Sequence, residues 1–176
     1  MQTLYLIIDV QNDFVDGVFE TKFAKLATQN IASFISNLPN TDDNTIILTR
    51  DLHDENYLNT QEGQNLPILH CQKGTWGAEL HPELLASLNG KTYEIINKSS
   101  FASLDLLKII GREKPYRVIL MGICTDICVI SNALLIKSHF PELPIFVKSS
   151  CMAGTTEENH KNALEVLKSC QIYDLD

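Results

Sequence analysis

The sequence predicts an α/β protein: an open, mostly parallel six-stranded sheet with helices on both faces, a three-layer α/β/α arrangement. Two observations carry this. Short branched apolar runs alternate along the chain with longer stretches of helical periodicity. Most of those runs are continuously apolar rather than alternating, as strands covered on both faces are. The alternation implies right-handed β-α-β crossovers.

The first strand is expected at Leu4–Ile8. A helix follows over 21–37, where Phe23, Leu26, Ala27, Ile31, Phe34, Ile35 and Leu38 recur at spacings of three and four. The second strand is Thr45–Thr49. Residues 51–91 break the rhythm: this polar excursion is punctuated by Gly63, Pro67, Gly74, Gly77, Pro82 and Gly90. It is predicted to hold only a short helix around 79–88, begun or capped by His81, and loops of this length are often functional. Thr92–Ile96 is the third strand, followed by LDLLKII within a helix over 103–110. Val118–Met121 and a helix over 126–138 come next, then Ile145–Lys148. The last helix, 156–168, opens on Thr-Glu-Glu and places Ala163, Leu164 and Leu167 on one stripe; Gln171–Asp174 is the final strand. No linker, repeat or low-complexity tract appears, so residues 1–176 read as one domain.

Composition narrows the function classes. The chain has 176 residues, 44% of them hydrophobic and 20% charged, enough for a sizeable core. Fourteen Lys plus Arg against 22 Asp plus Glu give a net charge of −8, which argues against nucleic acid as a partner. The apolar runs are far too short to span a membrane, and Asp9 interrupts what a signal peptide would need, so cytoplasm is the expected location. Five cysteines without a CxxC pair exclude a disulfide framework, and each is by default a small buried hydrophobe. Neither GxGxxG nor GxxxxGK[ST] occurs, so no nucleotide cofactor is expected.

Chemistry-bearing residues fall at strand ends. Asp9 ends the first strand, Asp51 and His53 follow the second, Lys98 follows the third, and Cys128 lies beyond the fourth in a Gly-Ile-Cys-Thr-Asp turn. In a parallel sheet these ends share one edge, where ligands bind at the reversal of strand order. With Thr125 as N-cap, Cys128 falls in the first helical turn, where the helix field and a nearby Lys favour thiolate and Asp126 in the same turn opposes them. Asp9 is then a candidate base and Lys98 a group that holds it, with backbone N–H groups around Cys124 and Cys128 facing a developing oxyanion. A plain Asp9–Lys98 salt bridge is the alternative. A second set, Asp51, His53, Glu62 and His70, mixes carboxylate and imidazole as Zn²⁺, Fe²⁺ or Mn²⁺ sites do. His139 and His160 are expected on surface stretches of their helices, and Cys71, Cys151 and Cys170 are expected to pack.

The stretches LIIDVQNDFVDG (6–17), TRDLH (49–53), LHCQKGTWGAELHPEL (69–84), INKSSFASLDL (96–106) and GICTDICV (122–129) span nearly the whole chain in order. In these the sequence resembles the isochorismatase-like cysteine hydrolases, and within them the nicotinamidase/pyrazinamidase branch. The resemblance implies an Asp9–Lys98–Cys128 triad, a thioester acyl-enzyme, and a cis peptide at Ile123–Cys124 that aims the Cys124 and Cys128 N–H groups. It implies a divalent metal on Asp51, His53 and His70, zinc first, that binds a pyridine nitrogen. Asn59 stands where many relatives have a further histidine, and Glu62 is the candidate replacement. Phe14 matches a pocket aromatic. The family's WPxHC tryptophan is absent, Leu66-Pro67 standing instead, so Tyr57, Leu66 and Trp76 become candidates for the rest of the pocket.

The expected activity is hydrolysis of nicotinamide to nicotinate and ammonia, serving pyridine nucleotide salvage. The alternatives are another small amide or carbamoyl substrate, or a non-catalytic binding domain. The resemblance also allows a homo-oligomer.

Overall fold

The computed structural model describes residues 1–176. Six strands form one sheet in the order β3-β2-β1-β4-β5-β6: β1 (Thr3–Ile8), β2 (Asn44–Asp51), β3 (Tyr93–Lys98), β4 (Arg117–Ile123), β5 (Ile145–Ala153) and β6 (Tyr173–Asp174). Every neighbouring pair is parallel, so the sheet is wholly rather than mostly parallel. β1 is buried at all six positions, as its unbroken apolar run requires.

α2 (Lys22–Ser36) packs with α4 (Pro82–Ser87), while α5 (Asp105–Glu113), α6 (Ile130–His139) and α7 (Glu157–Ser169) pack in series as the other layer. Thr21 caps α2 by accepting from Ala24 N at 3.0 Å. The buried stripe of α2 is Ala24, Ala27, Thr28, Ile31, Ala32 and Ile35. Phe23 and Leu26, expected in that stripe, are exposed. Small side chains on the inner face bring the helix close to the sheet and turn those two larger residues outward. Thr156 caps α7 in the same manner, accepting from Asn159 N.

The excursion is more structured than its sequence suggests. Besides α4 it holds α3 (Gln61–Asn65) and single 3₁₀ turns at Tyr57–Asn59 and Trp76–Ala78. A further turn, α1 (Asn12–Val15), follows β1. His81 caps α4, its Nδ1 accepting from Glu83 N at 3.3 Å, with Pro82 in the first helical position.

Gly122 fixes the close approach of β4 to β1. Its φ is +128°, and a Cβ there would meet Ile8 O at 2.1 Å.

At the far edge, Asp174 accepts from Ser149 N and Asp176 from Ser150 N at 2.7 Å, while Lys148 pairs with Asp176. Burial would raise the Asp176 pKa, but Lys148 and the Ser150 N–H outweigh it and hold the carboxyl low. Stability from this carboxylate is therefore present above the ordinary Asp range and lost as pH falls through the lowered value. Asp176→Asn is expected to cost about 1 kcal/mol at pH 7, the gap narrowing in urea unfolding curves as pH falls below the ordinary Asp range.

Candidate active site

Strand order reverses between β1 and β4, and the candidate residues gather there. β1 delivers Asp9, which takes a left-handed φ of 50° that Asp tolerates better than most residues. Asp51 and Lys98 are register partners at the ends of β2 and β3. Cys128 lies in a single π-helical turn, Thr125–Val129, between β4 and α6. Cys124, not Thr125, is the cap residue of that turn, so Cys128 sits one position deeper than the sequence spacing suggests. The peptide between Ile123 and Cys124 is cis.

Lys98 Nζ lies 2.6 Å from Asp9 Oδ2, 3.6 Å from Asp51 Oδ1 and 3.5 Å from Cys128 Sγ. Asp9 Oδ1 accepts from Thr49 Oγ1 at 2.6 Å. Oδ2 has no other hydrogen-bond partner, so one lone-pair face of this fully buried carboxylate is free. Burial raises the Asp9 pKa, and Lys98 only partly offsets it. Burial works against the Lys98 ammonium, but Asp9, with Cys128 and Asp51, holds its pKa well above the lysine range. Burial and then the Asp9 charge push the Cys128 thiol well up, Lys98 opposing them. Burial and the neighbouring carboxylate thus favour the thiol over the thiolate that the helix field favours, one ammonium opposing them. Such a thiol needs a base at the moment it reacts.

The Cys124 N–H donates to no group in the protein. Cys124 and Cys128 both line a cavity of about 1,360 Å³. Burial pushes the Cys124 thiol up to about 12.

Asp51, His53, Glu62 and His70 offer one ligand atom each, all within 4.8 Å of one another. His53 Nε2 is 2.9 Å from Asp51 Oδ2, His70 Nε2 3.6 Å from the same oxygen, and Glu62 Oε1 3.9 Å from His53 Nε2. His70 Nδ1 is 2.8 Å from Ile68 O, which leaves Nε2 facing the cluster, the outer support metal-ligating imidazoles have. Burial alone would raise Asp51, but hydrogen bonds from His53 and His70 prevail and hold it low. Burial with the Asp51 charge raises Glu62. Two carboxylates and two imidazoles converging in a mostly buried site suit a divalent cation.

Of the expected pocket residues, Phe14, Tyr57 and Leu66 line the cavity. Tyr57 is buried; its hydroxyl donates to Leu66 O at 2.9 Å, and burial pushes its pKa up to about 12. Trp76 stands outside the cavity and is 59% exposed: its 3₁₀ turn presents a backbone carbonyl inward, to Asn12 Nδ2, and the indole outward. Two aromatic walls went unforeseen. Phe19 stacks on Phe14 at 6.0 Å and meets His70 edge-on at 4.9 Å, and Phe101 also lines the cavity.

Three buried polar side chains that position the site were also missed. Gln11 brackets Asp51, accepting from its N–H at 2.7 Å and donating to its carbonyl at 2.8 Å. Asp13 accepts from Cys71 N at 2.7 Å, tying down the residue beside His70. Asn132 donates to Cys128 O at 2.7 Å and accepts from Ser103 N at 3.0 Å. Polar residues inside apolar windows were the available signal.

The isochorismatase domain family matches residues 3–173. The Schizosaccharomyces pombe nicotinamidase is 26% identical over 206 residues, covering 95% of this chain and 90% of that protein. A pyrazinamidase/nicotinamidase structure from Streptococcus mutans superposes with a TM-score of 0.86 at 26% identity, covering 99% of this chain and all of that one. The Pyrococcus horikoshii pyrazinamidase, solved in complex with zinc, has a TM-score of 0.82 at 24% identity over 100% of this chain and 99% of its own.

Proposed function

We propose, on the premise that the chain belongs to the isochorismatase family, that it is a cysteine-dependent amide hydrolase converting nicotinamide and water to nicotinate and ammonia. The observation that carries this reading is the convergence of Asp9, Lys98 and Cys128 beside a four-ligand cluster on one cavity. Relatives named nicotinamidase or pyrazinamidase support it.

In this reading Asp9 takes the Cys128 proton as sulfur attacks the amide carbon, and the Sγ–C bond forms. The N–H groups of Cys124 and Cys128 donate to the oxyanion. Asp9 returns its proton to the nitrogen, the C–N bond breaks and ammonia leaves. Water then attacks the thioester; Asp9 accepts its proton and passes it to Sγ as nicotinate departs. Lys98 stays charged throughout and keeps Asp9 oriented. The raised Asp9 pKa suits a group that must both take and give a proton.

Asp51, His53, His70 and Glu62 would hold a divalent cation, zinc first; the Pyrococcus horikoshii pyrazinamidase was solved in complex with zinc. When bound, the ion supplies a Lewis-acidic anchor for the pyridine nitrogen. Phe14, with Tyr57 and Leu66, would flank the ring. Such an activity fits pyridine salvage in the cytoplasm.

Purified protein should release ammonia from nicotinamide, lose that activity on chelation and regain it with zinc. Chelation should also lower the melting midpoint, because metal at 100 times its Kd stabilises by about 2.7 kcal/mol. Absence of ammonia from folded, metal-loaded protein would overturn the nicotinamide assignment. A cavity of about 1,360 Å³ favours as second reading the same chemistry on a bulkier amide.

A further inference from the structure

Hydrogen bonds behind the nucleophile turn take part in none of these steps. Thr125, fully buried, lies 2.8 Å from Nδ1 of His160 on α7. His160 is half-buried rather than on the surface where its sequence context puts it. Asp126, the next residue, accepts from Thr155 N at 2.8 Å and from Thr155 Oγ1 at 2.5 Å, and Asn159 Nδ2 steadies that hydroxyl at 2.9 Å. Gly154 lies so close that a Cβ would be 2.9 Å from Asp126 Oδ1 and from His160 Cα. The β5–α7 connection is thus pressed against the turn with no room for a side chain between them.

The same turn carries the two groups the chemistry needs. Cys124, whose N–H is unpaired, immediately precedes Thr125, and Cys128 lies three residues beyond it. Ile127 N and Val129 N both bond back to Cys124 O, so the turn closes on itself. Its outer anchors are Asn132 on one side and the Thr125–His160 and Asp126–Thr155 bonds on the other. Neither His160 nor Asp126 lines the cavity.

The geometry points to His160 and Asp126 as positioning residues that, through Thr125 and Thr155, hold the Cys124 N–H and Cys128 Sγ in register. This rests on the reading of Cys128 as nucleophile and the Cys124 N–H as oxyanion donor. His160 acts from outside the cavity, so its loss lowers kcat and leaves ground-state binding intact; Asp126 works through Thr155, which itself lines the cavity. A displacement of about 1 Å at a reacting group is worth up to about 100-fold in rate.

The test compares His160→Ala, His160→Asn and Lys161→Ala in zinc-loaded protein, with nicotinamide as substrate. His160→Ala should lower kcat by about 10- to 100-fold with KM within about twofold. His160→Asn places a polar atom where Nδ1 stood and should recover most of that loss. Lys161, exposed on the same helix, should be replaceable without effect. Unchanged kcat in His160→Ala, a rise in KM alone, or Asn no better than Ala would overturn the inference. Should His160→Ala fail to fold, Thr125→Val against Thr125→Ser poses the same comparison. Wild-type protein that releases no ammonia would instead sink the functional reading. The iodoacetamide alkylation rate of Cys128 would still judge this inference: a severalfold change in His160→Ala supports it, an unchanged rate overturns it.

Discussion

Cys128→Ala is expected to lose nicotinamide hydrolysis by on the order of 10⁴-fold or more while keeping its fold. The rate loss follows because the variant lacks the sulfur that lies 3.5 Å from Lys98 Nζ on the cavity wall. Retention of the fold follows from charge and size. Burial favours the neutral form of this thiol, so its removal leaves the Asp9–Lys98 pair in place. Loss of one sulfur leaves a small void at the edge of the core that Cys128 joins, costing about 1 kcal/mol. Ammonia release in single-turnover and steady-state assays, alongside a melting curve, checks both halves. Substantial ammonia release from folded Cys128→Ala would mean that water is activated without a covalent intermediate, and the thioester mechanism would fall.

The fold was legible because its signals are local. β1, β2 and β4 are continuous apolar runs between helical stretches, and parallel strands need that pattern. The meeting of Asp9, Asp51 and Lys98 on one edge followed from parallelism alone, since each directly ends a strand. The excursion was harder: its turns at Tyr57–Asn59 and Trp76–Ala78 are held by tertiary bonds such as Gln11 to Ala78 O, which no local period reports. Trp76 shows the same limit, because which side of a turn faces a cavity is decided by what packs on it. Phe19 was overlooked and His160 was placed on the surface for the converse reason: each lies in an ordinary window and acquires its partner, Phe14 or Thr125, only on folding. For Cys128 the helix field and Lys98 are visible in sequence, whereas the burial that pushes its thiol up is not.

Lys98→Met is expected to be the most destabilising single change in the site, at about 3–5 kcal/mol, because it strands a buried carboxylate. Asp9 is fully buried and Lys98 Nζ, at 2.6 Å, is its only cationic neighbour in ion-pair range. Asp51 would lose the same ammonium at 3.6 Å, although His53 and His70 remain to it. The cost is pH-dependent with a definite sign. A carboxyl whose folded pKa lies above its unfolded value contributes stability that is present at low pH and lost as pH rises through the folded value. Asp9 already lies on the raised side in the wild type, and removing Lys98 drives it further. The variant's deficit, read from urea unfolding at a series of pH values, should therefore be larger at pH 8 than at pH 5. Asp9→Asn in the Lys98→Met background should restore much of it, since a neutral amide leaves no stranded charge. A deficit below about 1 kcal/mol at both pH values, with no rescue by Asn, would show that Asp9 does not depend on Lys98 for its charge. Lys98 would then have to act on the Cys128 sulfur at 3.5 Å rather than as the partner of the base.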